Sequence, residues 1–331
     1  MKLGHYTALI ALCAMPLFLF GQQEPMYTRY MFNKILFNPA CAGSDNHLSV
    51  NLTHRRQWAG IEGAPITQAI TVHTPMRQPK VGLGLSIVKD KIGPTEMYDV
   101  NVAYAYRMNV GVNMKLSIGL ATGFTNWHAD WFNIELENNT DEIFQHNITR
   151  WFPNFGAGVY LSNDRFYAGI GCPRLLEHDL RKTTKGQVPV SGSLYRNLYA
   201  TTGIVYPLGT GRVVFRPSML VKALSPGSRY YSEPRQLKIG TPAEFDLDAS
   251  FFIQETVWLG LAYRAAVSKQ YASSESIDFS ATWYLRNGIR VGGSYDLLLS
   301  KLRKFSGGSF ELMAGYEFDI KVRRVASPRY F

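Results

Sequence analysis

Beyond its first twenty or so residues the chain lacks any apolar run long enough to cross a bilayer as a helix, which excludes a helical membrane protein. Only 3 cysteines occur in 331 residues, too few for a disulfide-built scaffold. Blocks of Lys and Arg with recognition-helix spacing are missing. The formal charge of +10 is therefore better explained by basic lumen and loop residues facing anionic headgroups than by nucleic-acid binding. Catalytic signatures are missing as well: there is no G-x-S-x-G elbow, no H-E-x-x-H and no P-loop, and Gly82-Leu83-Gly84 lacks the third glycine of a dinucleotide fingerprint.

What the chain does have is apolar residues at a spacing of two. In YDVNVAYAYRM, Tyr98, Val100, Val102, Tyr104, Tyr106 and Met108 alternate with Asp99, Asn101, Ala103, Ala105 and Arg107. Successive side chains of a strand point to opposite faces, so one face is greasy and the other wet. A soluble sandwich turns the greasy face inward, whereas an outer-membrane barrel turns it toward lipid and its polar face toward the lumen. Alternation alone does not choose between them.

The ends are read first. Lys2 and His5 precede the apolar stretch 8–20 and small Gly21, the pattern of a Sec-type signal peptide over 1–21. Cys13 follows bulky Leu12, which suits lipid attachment poorly, and leaves with that segment. Residues 22–47 form an N-terminal docking or plug segment, whose aromatic and Asn-rich part, 26–43, follows neither strand nor helix period. Residues 48–320 form the strand-bearing body, and 321–331 are expected as a short basic periplasmic tail.

About 14 alternating segments are read in the body: 48–56, 66–74, 80–88, 97–108, 114–124, 152–161, 165–171, 195–206, 212–224, 244–254, 256–265, 275–285, 288–297 and 309–320. Phe245, Leu247, Phe251 and Ile253 oppose Glu244, Asp246, Asp248 and Ser250, so the two faces meet different solvents. Connections after the even-numbered segments are tight (109–113, 162–164, 207–211, 255, 286–287), and several after odd-numbered ones are long (125–151, 172–194, 225–243). Sorting of loop length by strand parity is what a barrel threaded from the periplasm produces, and a sandwich has no reason for it. The expected fold is an all-β, transmembrane, antiparallel outer-membrane β-barrel with an N-terminal docking or plug segment.

Gly82, Gly84, Gly119, Gly156 and Gly158 make room for something in the lumen or relieve strand curvature. His128 with Asp130, and His178 with Asp179, fall in long loops and are the only motivation for a surface hydrolase or metal site. No cofactor is indicated. Cys172 belongs near the outer rim and Cys41 near the periplasmic rim, so no disulfide between them is expected unless an arm is threaded up the lumen.

Four stretches, YMFNKILFNPACAG, RRQWAGIEGAPITQ, TPMRQPKVGLGLSIVKDKIGPTE and FPNFGAGVYLSNDRFYAGIGCPRLLE, resemble the PorP/SprF family of type IX secretion system outer-membrane proteins of Bacteroidetes. The matching positions are Tyr30, Met31, Phe32, Asn33, Asn38, Pro39, Ala40 and Gly43 in the first. Gln57, Trp58, Gly60, Gly63, Ala64 and Pro65 follow in the second, residues 80–85 with Asp90, Gly93 and Pro94 in the third, and Pro153, Asn154, Gly156 and Gly158 in the fourth. Cys41 departs from the pattern, where a bulky residue is expected. The resemblance implies a non-enzymatic barrel of the cell outer membrane, in contact with outer-membrane lipid, that helps to secrete or anchor adhesins bearing a type IX C-terminal domain and serves gliding motility. Its implied partners are periplasmic ring or peptidoglycan-associated subunits and the adhesin C-terminal domains, with no nucleic acid. A solute or fatty-acid channel carrying an N-terminal plug is the alternative.

Overall fold

The computed structural model describes residues 25–45, 47–77, 80–111, 113–131, 147–180, 193–209, 211–226, 228, 243–267, 272–285 and 287–318. The expected leader and the basic tail lie outside them. No helix among the described residues is long and apolar enough to cross a membrane.

The strands are β1 (Leu48–Arg56), β2 (Ile66–Pro75), β3 (Val81–Ile92), β4 (Thr95–Asn109), β5 (Lys115–Ala129), β6 (Ile148–Ser162) and β7 (Phe166–Cys172). There follow β8 (Asn197–Ile204, continued by Tyr206–Leu208), β9 (Val213–Leu224), β10 (Ala243–Ile253), β11 (Val257–Val267), β12 (Ala272–Tyr284), β13 (Ile289–Leu298) and β14 (Ser309–Phe318). Each pairs antiparallel with its neighbour in sequence, and β1 pairs with β14 from Leu48↔Phe318 to Arg56↔Phe310, which closes a fourteen-stranded barrel. Closure leaves no open edge among the barrel strands, the condition for strands to sit in lipid.

The alternation is resolved in the membrane sense. Leu120, Phe155, Ile170, Leu247, Phe279 and Leu312 point outward and are exposed. Their opposite faces bury Asn51, Arg55, Asp246, Ser250, Arg264, Asp296 and Glu311. In β4 the outward Val102, Tyr104 and Tyr106 are exposed while Ala103, Ala105 and Arg107 are buried, as the two-residue period requires.

The rims differ. At the turn rim short links join β2 to β3, β4 to β5, β6 to β7, β8 to β9, β10 to β11 and β12 to β13; the other ends of the strands form the loop rim, where 57–65 and 299–308 are described in full. Two loop-rim connections are short. β3 and β4 run on as a hairpin to a tip at Gly93 and Pro94, with Gly93 at φ 55, so the Asp90–Pro94 motif is a hairpin end and not an open loop. β5 reaches Ala129, which places His128 on a strand and corrects its expected loop position.

Candidate functional site

The first motif packs inside the barrel. Residues 25–45 fold as three 3-10 turns, Tyr30–Phe32, Lys34–Leu36 and Pro39–Cys41, linked end to end. Asn38 and Pro39 explain the third: the Asn38 side chain accepts from Ala40 N at 2.9 Å, and Pro39 stands where a turn's first N–H would lack a partner. Gly43, at φ 65, ends the run; a side chain there would strike the Thr74 carbonyl and the Arg107 guanidinium.

The wall is shaped for this segment. A Cβ on Gly82 would overlap the Ala42 carbonyl, on Gly84 the Ile35 side chain, on Gly119 the Ala40 backbone, on Gly158 the Asn38 amide and on Gly171 the Phe37 carbonyl. Asn38 Nδ2 donates to the Val159 carbonyl at 3.0 Å. Elsewhere the wall meets the segment with aromatic rings: Phe32 meets Trp258 edge-on at 4.8 Å and Phe37 meets Tyr199 at 5.1 Å, while Arg216 stacks over Trp258 at 3.8 Å.

Polar groups of the segment are matched in the same way. Toward the loop rim, Thr28 N donates to Glu311 at 2.9 Å and Thr28 Oγ1 to Asp296 at 2.9 Å, while Arg55 pairs with Asp296 at 2.6 Å. Arg264 joins Asp246 at 2.7 Å and reaches the Tyr27 carbonyl at 3.4 Å. Midway, Asn33 donates to Thr53 Oγ1 at 2.9 Å and accepts from Thr71 Oγ1 at 3.0 Å, Asn51 donates to the Phe32 carbonyl at 3.0 Å, and Tyr30 shares a 2.7 Å bond with Ser218. At the turn rim Asp45 lies 3.8 Å from Lys34 and 3.5 Å from His73. Burial pushes the Asp45 carboxyl up, but the Lys34, His73 and His47 charges outweigh it and hold it well below the usual carboxylate range.

The segment's two cations are satisfied in different ways. Arg29 spends its guanidinium on the Ala281 and Gly293 carbonyls, at 2.7 and 3.1 Å, and Lys34 pairs with Asp45 of its own segment. Cys41 lies toward the turn rim, the end at which it is expected, but inside the barrel: it is buried beside Tyr160 and Tyr167, which flank the β6–β7 turn, and burial raises its thiol to about 12. The segment runs from the loop-rim side at Thr28 to the turn rim at Asp45, the one arrangement that could have brought Cys41 near Cys172. Both remain thiols, and Cys172 Sγ donates to the Arg174 carbonyl at 3.2 Å.

The second and third motifs meet each other at the loop rim. Gly93 N donates to the Gly63 carbonyl at 2.8 Å, and Thr67 Oγ1 to Asp90 at 2.5 Å. Gln57 is buried and its N–H donates to the Pro65 carbonyl at 2.9 Å; Trp58 sits at φ 47 and donates to Ser309 Oγ at 3.1 Å. Ala59 exchanges 2.8 Å bonds with Gly307 and Gly308, tying this loop to the β13–β14 connection, and exposed Gly60 and Gly63 cap the patch with Ala64 at its edge. The fourth motif receives both the segment and an inturned loop: Asn154 donates to the Pro173 carbonyl at 3.0 Å, Gly156 leaves room for Pro173, and Arg174 pairs with Asp99 at 3.0 Å, whereas Pro153 faces outward.

The histidines do not assemble a site. His128 Nδ1 bonds Thr149 Oγ1 at 2.8 Å, and His178 Nε2 bonds the Pro153 carbonyl at 2.8 Å with its ring stacked on Phe152. Among the described residues no three His, Cys, Asp or Glu side chains cluster as metal ligands. Arg55, Asp296, Glu311 and Arg264, which hold the segment's loop-rim end, escape sequence reading because isolated charges on alternating strands give no sign of meeting across the barrel.

A closed fourteen-stranded barrel with an apolar belt and a polar interior is an outer-membrane β-barrel, and the protein resides in the outer membrane. The model of the family described as type IX secretion system membrane protein PorP/SprF matches residues 19–316, and the chain belongs to that family. None of the curated proteins compared with the chain matches it. Among solved structures, the CymD monoaromatic hydrocarbon channel is similar at a TM-score of 0.53 and 9% identity, over 86% of this chain and 92% of that one. A Pseudomonas aeruginosa FadL homologue is similar at a TM-score of 0.47 and 12% identity, over 86% and 94%. At such identities the likeness concerns the fold alone.

Proposed function

We propose that this outer-membrane component of type IX secretion is non-enzymatic and helps to export or anchor surface adhesins bearing a type IX C-terminal domain. On this reading the loop rim faces outward, and residues 25–45 are a plug that closes the barrel and stiffens its wall. The wall thereby becomes a rigid mount for the patch built by Gln57–Pro65 and Gly93–Pro94. The observation that supports it is convergence: four stretches spread along the chain gather into two places, the barrel interior and one loop-rim patch. Burial of Tyr30, Phe32 and Phe37 inside the barrel supports the plug reading. The partners would be periplasmic ring or peptidoglycan-associated subunits at the turn rim and cargo at the loop rim.

Deleting the gene tests this. Loss of surface adhesins with nutrient uptake intact supports the secretion reading; impaired uptake with normal surface proteins supports a plugged solute channel and sinks it. Co-purification from solubilised outer membrane then separates two roles, since a retained large surface protein marks a dedicated anchor and retained periplasmic subunits mark the core machine.

A further inference from the structure

The outward face is apolar along most of the barrel, but not at the loop-rim end of β1–β4. The strand register sets Ala314, Leu52, Ile70, Ile87, Val100 and Phe124 side by side, an apolar row. One step toward the loop rim the corresponding row reads Leu312, His54, Gln68, Lys89, Tyr98 and Asn126. A further step brings Arg56, Ile66, Lys91, Glu96 and His128. Side chains on the outside of a membrane barrel change from apolar to polar where hydrocarbon gives way to headgroups.

Charge on this patch is unbalanced. Lys89 pairs with Glu96 at 3.0 Å and lies 5.0 Å over the Tyr98 ring, which uses the one carboxylate of the two polar rows. Arg56 and Lys91 are exposed and have no ion pair among the described residues. They stand two strands apart, roughly 10 Å at about 4.8 Å per strand. Directly below, small Ala314 leaves a dent in the lipid-facing wall between Val291, Leu312 and Leu52, and an outward groove runs from it up to His54, Gln68 and Lys89. A cationic top continuous with an apolar trough matches a molecule with phosphates at one end and hydrocarbon at the other.

We propose that this face binds a phosphorylated glycolipid of the outer leaflet, with Arg56, Lys89 and Lys91 on its headgroup phosphates and an acyl chain in the trough over Ala314. The assignment takes the loop rim as the outer rim, as the sorting of short turns and long loops dictates. The site is independent of the barrel interior.

The test uses the full chain reconstituted in phosphatidylethanolamine vesicles containing either lipid A or phosphatidylglycerol, re-extracted in detergent, with retained lipid measured by native mass spectrometry. Wild type is expected to retain lipid A in preference to phosphatidylglycerol. At about fivefold per cation, R56Q/K89Q/K91Q weakens retention by on the order of a hundredfold. A314F fills the trough without touching a charge and also lowers retention, whereas R303Q/K304Q, at another loop-rim position, leaves it unchanged. Heat-modifiable gel mobility verifies that each barrel is folded. Equal retention by wild type and the triple variant, equal loss in R303Q/K304Q, no preference over phosphatidylglycerol, or displacement of the lipid by inorganic phosphate would each overturn the proposal.

Discussion

The Asn38 side-chain amide donates to the backbone carbonyl of Val159 at 3.0 Å, so a single residue of the N-terminal segment is bonded directly to the sixth strand. The same side chain caps its own turn through Ala40 N. Replacing it by Ala removes a cap worth about 1 kcal/mol and a part-buried bond to the wall worth about 1 kcal/mol more. Asn38→Ala is expected to lower the thermal midpoint in detergent and to expose the segment to protease. An unchanged digestion pattern would mean that the bond does not hold the segment.

The glycine wall makes a steric prediction. At Gly119 and Gly171 a β-carbon would overlap the segment's backbone, so Gly119→Val and Gly171→Val should expel or distort residues 36–42 while the strands still pair. Ala157 lies on the opposite, lipid-facing side of the same region, and Ala157→Val has nothing to strike. Limited proteolysis near residue 40 should rise for the two glycine variants and stay at wild-type level for Ala157→Val.

These contacts also show what was readable beforehand. Strand alternation and turn signals carry fourteen strands to within a few residues, because a lipid-facing barrel writes its pattern into every second residue. YDVNVAYAYRM is the plainest case, its Tyr104 and Tyr106 exposed and its Ala103 and Ala105 buried. Boundaries at the loop rim were less legible: β3 to β6 extend past the apolar rows into Lys89, Lys91, Glu96 and His128, where alternation is no longer hydrophobic against polar. The glycine gaps were visible, but not their occupants. Gly119 meets Ala40 and Gly171 meets Phe37 across more than seventy residues of chain, a pairing with no local signature. Nor could charge type alone pair Arg29 with carbonyls, since that depends on which wall atoms lie opposite.

Cysteine accessibility checks where the segment lies. Cys41 is buried beside Tyr160 and Tyr167 with its thiol raised to about 12, and Cys172 is buried under the Arg174 loop. Neither should react with iodoacetamide in the folded barrel, and both should react after unfolding without a reductant. Intact mass is the readout. Rapid labelling of Cys41 in folded protein would place it outside the barrel, and a failure of both thiols to label after unfolding would mean a disulfide.

Asp45 links the segment's end to His73 of β2 electrostatically. Burial raises its carboxyl, while Lys34, His73, His47 and Arg290 lower it further, so the folded-state value lies below the ordinary carboxylate value of about 3.9. A depressed carboxylate contributes stability above the unfolded-state value, and that contribution is lost as pH falls through the folded-state one. Wild type and Asp45→Asn should therefore differ in full above about pH 4 and draw together progressively as the pH falls below it. Breaking a buried pair costs roughly 3 to 5 kcal/mol, and the 3.8 Å separation puts Lys34–Asp45 at the lower end. Guanidinium unfolding at several pH values measures it, and a difference that grows on acidification would refute the sign.

The decisive variant deletes residues 26–43 and leaves residues 1–25 unchanged. Tyr27, Tyr30, Phe32 and Phe37 are all buried by the barrel wall, and burial of four such side chains contributes about 6 to 12 kcal/mol before ordering costs. Their removal also leaves Asp296 and Glu311 without Thr28, and empties the space that five wall glycines leave open. Strand pairing does not involve the segment, since the β1–β14 seam is complete from Leu48 onward. The barrel is therefore expected to insert, with a lower unfolding midpoint and measurable conductance in planar bilayers where wild type has little. Surface-adhesin export should fall. Insertion, stability, conductance and export all at wild-type levels would make the segment a dispensable arm, and a deleted barrel that conducts but exports normally would separate the plug from secretion.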